Sequence, residues 1–292
     1  MTSVITIGQR ARLKRRAGFR RVGLFGLGAG GTAALVVVAI AALLALIGPL
    51  VAPHSPTQPN LALAWISPDG AHLLGFDVQG RDVFSRILAG ARSSMLGPLI
   101  VVVVAMALGT LFALISAWRG GFVDTAISSA MNVIFSFPSI LLAALATVVV
   151  GAGLWPAVVA LIIAYTPYVA RILRGALLQA RNQPYIAALE VQGASVLSIW
   201  FRHLIPNVLP LIVAQATLLF GYTMLDIAIL SYLGLGVQPP APDWGVMISE
   251  NQSGILQGYA LPALSGSACI VAVVVSMNVL GERLLDRNGG RR

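Results

Sequence analysis

Lysine occurs once in this sequence, at Lys14, and no G-x-x-x-x-G-K-[ST] pattern surrounds it. A P-loop needs that lysine and its phosphate-cradling glycines, so nucleotide hydrolysis by that route is excluded. Cysteine also occurs once, at Cys269. An intrachain disulfide is therefore impossible, and the redox compartment is unreadable. A lone thiol inside an apolar stretch reads as a small buried hydrophobe. Of the three histidines, His54, His72 and His203, none falls in a long apolar run, so an intramembrane serine protease would lack its base. His54 and His72 have no accompanying cysteines and are expected to be solvated, with no metal bound. Charge is scarce as well: 10% of residues are charged, against about a quarter in soluble domains. No internal repeat of about 20–50 residues and no low-complexity tract is present.

What fills the chain instead is hydrocarbon. Apolar residues make up 58% of the 292, and the mean hydropathy is +0.87. Crossing a bilayer core takes about 20 such residues. Six stretches qualify: 32–51, 95–116, 125–150, 154–173, 208–230 and 261–284. They predict an all-α integral membrane protein with six transmembrane helices. The first stretch follows basic residues, as a secretory signal would, and Ala62-Leu63-Ala64 resembles a cleavage site. The run is too long and the triplet too distant for that reading, so an uncleaved helix is expected. The remaining organisation is a basic lead-in over 1–31, an external loop over 52–94, a five-helix core over 95–287 and a tail over 288–292. Within the core lie a polar loop over 171–206 and a second external loop over 235–260.

The net charge of +9 raises the question of nucleic acid. Its distribution points elsewhere. With a cytoplasmic amino terminus, 16 of the 19 basic residues lie on the inside, and only Arg81, Arg86 and Arg92 lie outside. This is the positive-inside asymmetry, and it predicts both termini in the cytoplasm of a cytoplasmic-membrane protein, with lipid rather than nucleic acid as partner.

Between the fourth and fifth stretches runs Tyr185-Ile186-Ala187-Ala188-Leu189-Glu190-Val191-Gln192-Gly193-Ala194, followed by His203-Leu204-Ile205-Pro206. A short helix, a glycine break and a proline opening the next span predict a rigid knob at the membrane surface. The first external loop closes with Leu74-Gly75-Phe76-Asp77-Val78-Gln79-Gly80-Arg81-Asp82-Val83-Phe84-Ser85-Arg86. There Asp82 and Arg86, four apart, are expected to pair on one helix face. The second external loop holds Gln238-Pro239-Pro240-Ala241-Pro242-Asp243-Trp244-Gly245. Its prolines stiffen the backbone, and Trp244 suits an interfacial belt.

These three motifs, in this order, resemble those of C-type permeases of the dipeptide, oligopeptide and nickel ATP-binding-cassette (ABC) importers. With Asn278-x-x-Gly281 near the end, the likeness covers about residues 32–287. The resemblance implies the type I importer permease fold and a chain that is not itself an enzyme. It implies a homologous second permease subunit, one or two ABC ATPase chains that bind ATP and magnesium, and an extracytoplasmic substrate-binding protein. Tyr185, Ala187, Ala188, Glu190, Gly193, Ala194 and Pro206 would couple to the ATPase. Gly80, Arg81, Asp82, Arg86, Pro239, Pro240 and Trp244 would serve the external loops and binding-protein docking. The chain departs from the family pattern at Ala187, where an acid is usual, and at Leu189, where an alanine is usual. Glu190 is the nearest acid, on a neighbouring helical position.

Asp226 is the clear acid within an apolar stretch, and such a group is costly to bury. At about 100° per residue, Tyr222 falls about 20° to one side of Gln215 and Asp226 about 20° to the other. The three form one polar stripe. It lines a substrate pathway, or it packs against polar groups of neighbouring helices. Ser128, Ser129 and Asn132 read as glue between helices. A gradient-driven secondary carrier is the competing class, since such carriers also bury ionisable groups. Within the ABC branch, peptide and nickel are the two cargoes.

Overall fold

The computed structural model describes residues 28–289. The basic lead-in through residue 27 and the tail from residue 290 lie outside the described residues. Ten helices follow in order: α1 (Gly28–Val51), α2 (Val83–Arg119), α3 (Gly121–Phe135), α4 (Ser139–Val150), α5 (Leu154–Arg181), α6 (Pro184–Val191), α7 (Val196–Ile199), α8 (Ile205–Tyr232), α9 (Trp244–Leu256) and α10 (Leu261–Gly289). Among the described residues the only β pairing is an isolated bridge, Phe76 to Asp82. Five helical segments are long and apolar enough to cross a membrane.

The third expected span, 125–150, is a bent pair rather than one helix. α3 and α4 meet at 77°. Pro138 supplies the reason: it lacks an N–H, and its ring disfavours helical geometry at the residue before it. Pro138 instead caps α4 in extended geometry, and the chain turns there.

Helix lengths also differ from the expected spans. α2 has 37 residues, about 55 Å at 1.5 Å per residue, against a hydrocarbon core of about 30 Å. It is therefore longer than the apolar layer it crosses. Helix α5 continues through Arg171 and Arg174 to Arg181, so the polar loop expected from residue 171 begins as helix. The helix of the fifth span begins early too. Val196–Tyr232 is one continuous helical segment with a π turn at Trp200–Leu204. The wide turn immediately precedes Pro206, which has no N–H to return to the preceding turn. Pro206 thus lies inside the helix and does not open it.

The core is built on α2 against α5, the most extensive helix pair. Val102, Ala105, Ala113 and Ala117 of α2 share a buried cluster with Val169, Leu173, Leu177 and Ala180 of α5. Gly109 sets how closely they approach: a Cβ there would stand 2.5 Å from Val169 Cγ1 and 3.1 Å from the Ala170 backbone nitrogen. Small residues at such crossings let apolar helices pack without a hydrophobic driving force. α1 lies against α2 and α10, and α8 against α2, α5 and α10.

One end of the bundle carries a crown made of the 52–82 segment and α9. Asp77 Oδ1 accepts the Gln79 and Arg81 N–H groups, both at 2.9 Å, which closes the Gly80 turn. Arg81 donates to Asp77 Oδ2 at 2.8 Å and to Glu250 Oε2 at 2.6 Å. Arg86 also donates to Glu250 Oε2, at 2.8 Å, and to the Pro56 carbonyl at 3.2 Å. Asp82 does not pair with Arg86 as expected. It caps α2 by accepting the Ser85 N–H at 2.7 Å, and its other oxygen faces His72.

The second loop is tied down by the same logic. Asp243 caps α9 through the Gly245 and Val246 N–H groups and accepts Ser94 Oγ–H at 2.6 Å. Burial raises its carboxyl above the usual range, and these donors pull against that rise. Trp244 is buried, with its indole N–H on the Ile87 carbonyl at 3.0 Å. It anchors α9 to α2 and does not sit in an interfacial belt.

Candidate transport pathway and coupling surface

The break between α3 and α4 positions the first site. Ser139, the first residue of α4, donates its hydroxyl to Asp226 Oδ2 at 3.1 Å, and Tyr165 of α5 donates to the same oxygen at 2.9 Å. One turn along, Tyr168 donates to Gln215 Oε1 at 3.2 Å. The stripe on α8 therefore meets a matching stripe on α5, where the rings of Tyr165 and Tyr168 stand edge to face, 6.5 Å apart. Tyr222 completes the α8 stripe and stays 44% exposed. Asp226 has two hydroxyl donors and no cationic partner among the described residues. The carboxyl group is thus held by neutral hydroxyls alone.

Further along α5, Arg174 forms an ion pair with Asp124 of α3, and Ser116 of α2 donates to the same carboxylate. Arg171 donates to Asn132 Oδ1 at 2.8 Å and stacks over the Phe135 ring at 4.2 Å. These contacts tie the half-span α3 to α5. Asn132 acts as expected, as interhelical glue. Ser139, Tyr165 and Tyr168 escaped the sequence reading, because single hydroxyls in apolar stretches carry no signal until a partner is placed beside them.

The second site is the knob at the other end from the crown. α6 ends in a Schellman arrangement: the Gly193 N–H reaches the Glu190 carbonyl and the Ala194 N–H reaches the Leu189 carbonyl, both at 3.0 Å. Gly193 has φ +79°, and no heavy atom lies within 4 Å of the point where a Cβ would stand. Its glycine answers a backbone angle, not a close approach within this chain. The inner face is anchored, since Ile186, Ile199 and Leu204 join the buried cluster of Leu173 and Leu177. The outer face is bare. Ala187, Ala188 and Glu190 are exposed, and Val191 is 89% exposed. Tyr185, Leu197 and Phe201 are also exposed. The Glu190 side chain makes no hydrogen bond or ion pair among the described residues.

The external motif residues require a correction. Gly80, Arg81, Asp82, Arg86 and Trp244 are buried within this chain, where two arginines and a carboxylate fasten the loop to α9. They are unavailable to a docking protein. Pro239 and Pro240 are exposed.

A multi-pass helical bundle with a half-broken span and a surface knob defines a membrane component of a transport system, and comparisons agree. Residues 108–289 match the family described as binding-protein-dependent transport system inner membrane component. The chain belongs to that family. It is 34% identical to the dipeptide transport system permease protein DppC of Alkalihalophilus pseudofirmus, covering 86% of this chain and 83% of that one. It is 33% identical to the probable D,D-dipeptide transport system permease protein DdpC of Escherichia coli K12, over 86% and 84%. It is 38% identical to the glutathione transport system permease protein GsiD of Pectobacterium atrosepticum, over 75% and 72%. A chain in an inward-facing structure of the MetNI methionine ABC transporter shares the fold, with TM-score 0.56 and 22% identity over 69% of this chain and 95% of that one. The type I permease fold expected from the motifs is the fold found.

Proposed function

We propose that this chain is the peptide-conducting permease subunit of an ATP-driven importer. The observation that carries the reading is the two-faced knob: α6 is fastened to the bundle by Ile186, and the Tyr185 ring leans on His203, while Ala188, Glu190 and Val191 face outward and exposed. A surface helix that is rigidly mounted and bare on its outer side is built to receive another body and pass its motion inward. That body is one of one or two ABC ATPase chains, which bind ATP and magnesium. This chain has no P-loop of its own.

Peptide is the cargo the relatives' names support, and the Asp226 site suits it. A carboxylate without a cationic partner can meet a peptide's amino terminus, while the Tyr165, Tyr168 and Tyr222 hydroxyls serve backbone groups that every peptide shares. A homologous second permease completes the pathway. A substrate-binding protein delivers peptide to the crown end, where Pro239 and Pro240 are exposed. The crown end is extracytoplasmic, and both termini are cytoplasmic, as the distribution of basic residues supports.

The test is purification in mild detergent, followed by reconstitution into vesicles. Stoichiometric co-purification of ATPase chains, with ATP-dependent uptake of labelled dipeptides, is the expected result. A lone oligomer that moves substrate on a proton or sodium gradient would overturn the reading.

A further inference from the structure

The fold does something with the first-loop histidines that their sequence positions do not reveal. His54 follows the end of α1, His72 sits in the turn before Leu74, and Asp82 caps α2. One ligand atom from each lies within 4.8 Å of the others. His72 Nδ1 is 2.9 Å from Asp82 Oδ1, His54 Nδ1 is 3.9 Å from Asp82 Oδ2, and the two imidazole centroids are 4.2 Å apart. Donors around a tetrahedral ion with bonds of about 2.0–2.1 Å stand about 3.3 Å from one another. Of the two nitrogen–oxygen distances, 2.9 Å runs to Asp82 Oδ1 and 3.9 Å to Oδ2, one on each side of that value, so the carboxylate presents a different oxygen to each imidazole.

We propose that His54, His72 and Asp82 form a binding site for a divalent transition cation of the zinc class, one that clamps the end of α1 to the start of α2. Two imidazoles and one carboxylate suit such ions, whereas calcium and magnesium take oxygen donors. Each donor is held by the backbone around it. The His54 N–H is bonded to Ser85 Oγ at 3.0 Å. The His72 turn is closed by Asp69 Oδ1, which accepts the Ala71 and His72 N–H groups at 2.9 and 2.6 Å. Asp82 is fixed by its cap to Ser85. His54 Nδ1 is buried and has no hydrogen-bond partner. A bound cation supplies the partner that it lacks. Arg81 borders the same cavity; its Nε and Nη2 are paired with Asp77 and Glu250, which offset its charge, while its Nη1 is buried without a partner.

Zinc is the probe. The chain would be purified in detergent with the chains that accompany it, using a tag free of histidine, and titrated against a chromophoric chelator. Thermal unfolding would be followed in parallel. We expect one zinc more per wild-type chain than per His54→Gln or His72→Asn chain, and a zinc-dependent rise in melting temperature. His54→Gln removes no side-chain hydrogen bond, only the ring contact with His72, so its metal-free melting should stay near wild type. Its zinc affinity should fall at least as far as the roughly 10–100-fold seen when only an outer partner of a ligand is lost. His72→Asn tests the second ligand and guards against misfolding of the first variant. Equal zinc binding by wild type and both variants, or none by wild type, would overturn the site. Peptide uptake is not read in this experiment, so its outcome is separate from that of the transport reading.

Discussion

Tyr165 and Asp226, 61 residues apart in sequence, share a hydrogen bond of 2.9 Å from the phenol to Oδ2, at the point where the third span breaks. Ser139 reaches the same oxygen from the first residue of α4. The carboxylate on α8 therefore holds α5 and the broken half-span at one point.

Asp226→Asn keeps the shape and leaves an amide oxygen for both hydroxyls. It removes the charge alone. Peptide uptake should fall at least about tenfold, corresponding to about 1.4 kcal/mol of lost interaction with a cationic amino terminus, while assembly and basal ATP hydrolysis stay near wild type. Uptake unchanged across several peptides would reduce Asp226 to a structural tie. Tyr165→Phe separates the two roles further, since it leaves the charge and deletes one donor.

Gly193 should be intolerant of side chains that resist positive φ. A residue with a Cβ at φ +79° costs about 1–2 kcal/mol, and Gly193→Leu also adds bulk on the exposed side of the knob. ATPase chains should co-purify less, or hydrolyse ATP without transport. Gly193→Asn, which tolerates the left-handed region better, should retain more coupling. Full coupling in Gly193→Leu vesicles would show that transmission runs elsewhere. Glu190→Ala should act in the same direction but weakly, since an exposed ion pair contributes about 0–1 kcal/mol.

Glu250→Gln tests the crown. Arg81 and Arg86 both donate to Glu250 Oε2, and both are buried. Neutralising the shared acceptor leaves two cations with only Asp77 between them. Breaking one side of a buried ion-pair network costs about 3–5 kcal/mol. Thermal unfolding in detergent should show a clear drop in melting temperature. A variant as stable as wild type would mean that the network contributes no net stability.

A reporter fused after Leu73 should be active only outside the membrane, and one fused after Arg181 only inside. Labelling of a cysteine at position 181 by an impermeant reagent in intact cells would invert the proposed orientation.

Hydropathy alone was enough to place the protein in a membrane, because removing about 20 apolar residues from water outweighs every local alternative. The short helix and its glycine break were legible for a related reason: each is a local rule about one or two backbone angles, whereas Pro206 proved to lie inside a helix that begins at Val196. What sequence order could not reveal were the partners. Whether Asp82 would meet Arg86 or His72 depended on how the 52–82 segment folded back over α2. Arg81, Arg86 and Trp244 looked like surface residues of a loop, and the packing of α9 buried them. Ser139 and Tyr165 became part of a site only when Pro138 turned the chain and brought α4 against α8. Hydropathy is written along the chain, so the apolar spans could be read from it, but not the break at Pro138, nor α9 within the second loop. A hydrogen bond or ion pair between distant residues depends on the packing of the whole bundle, and only the tertiary structure decided those.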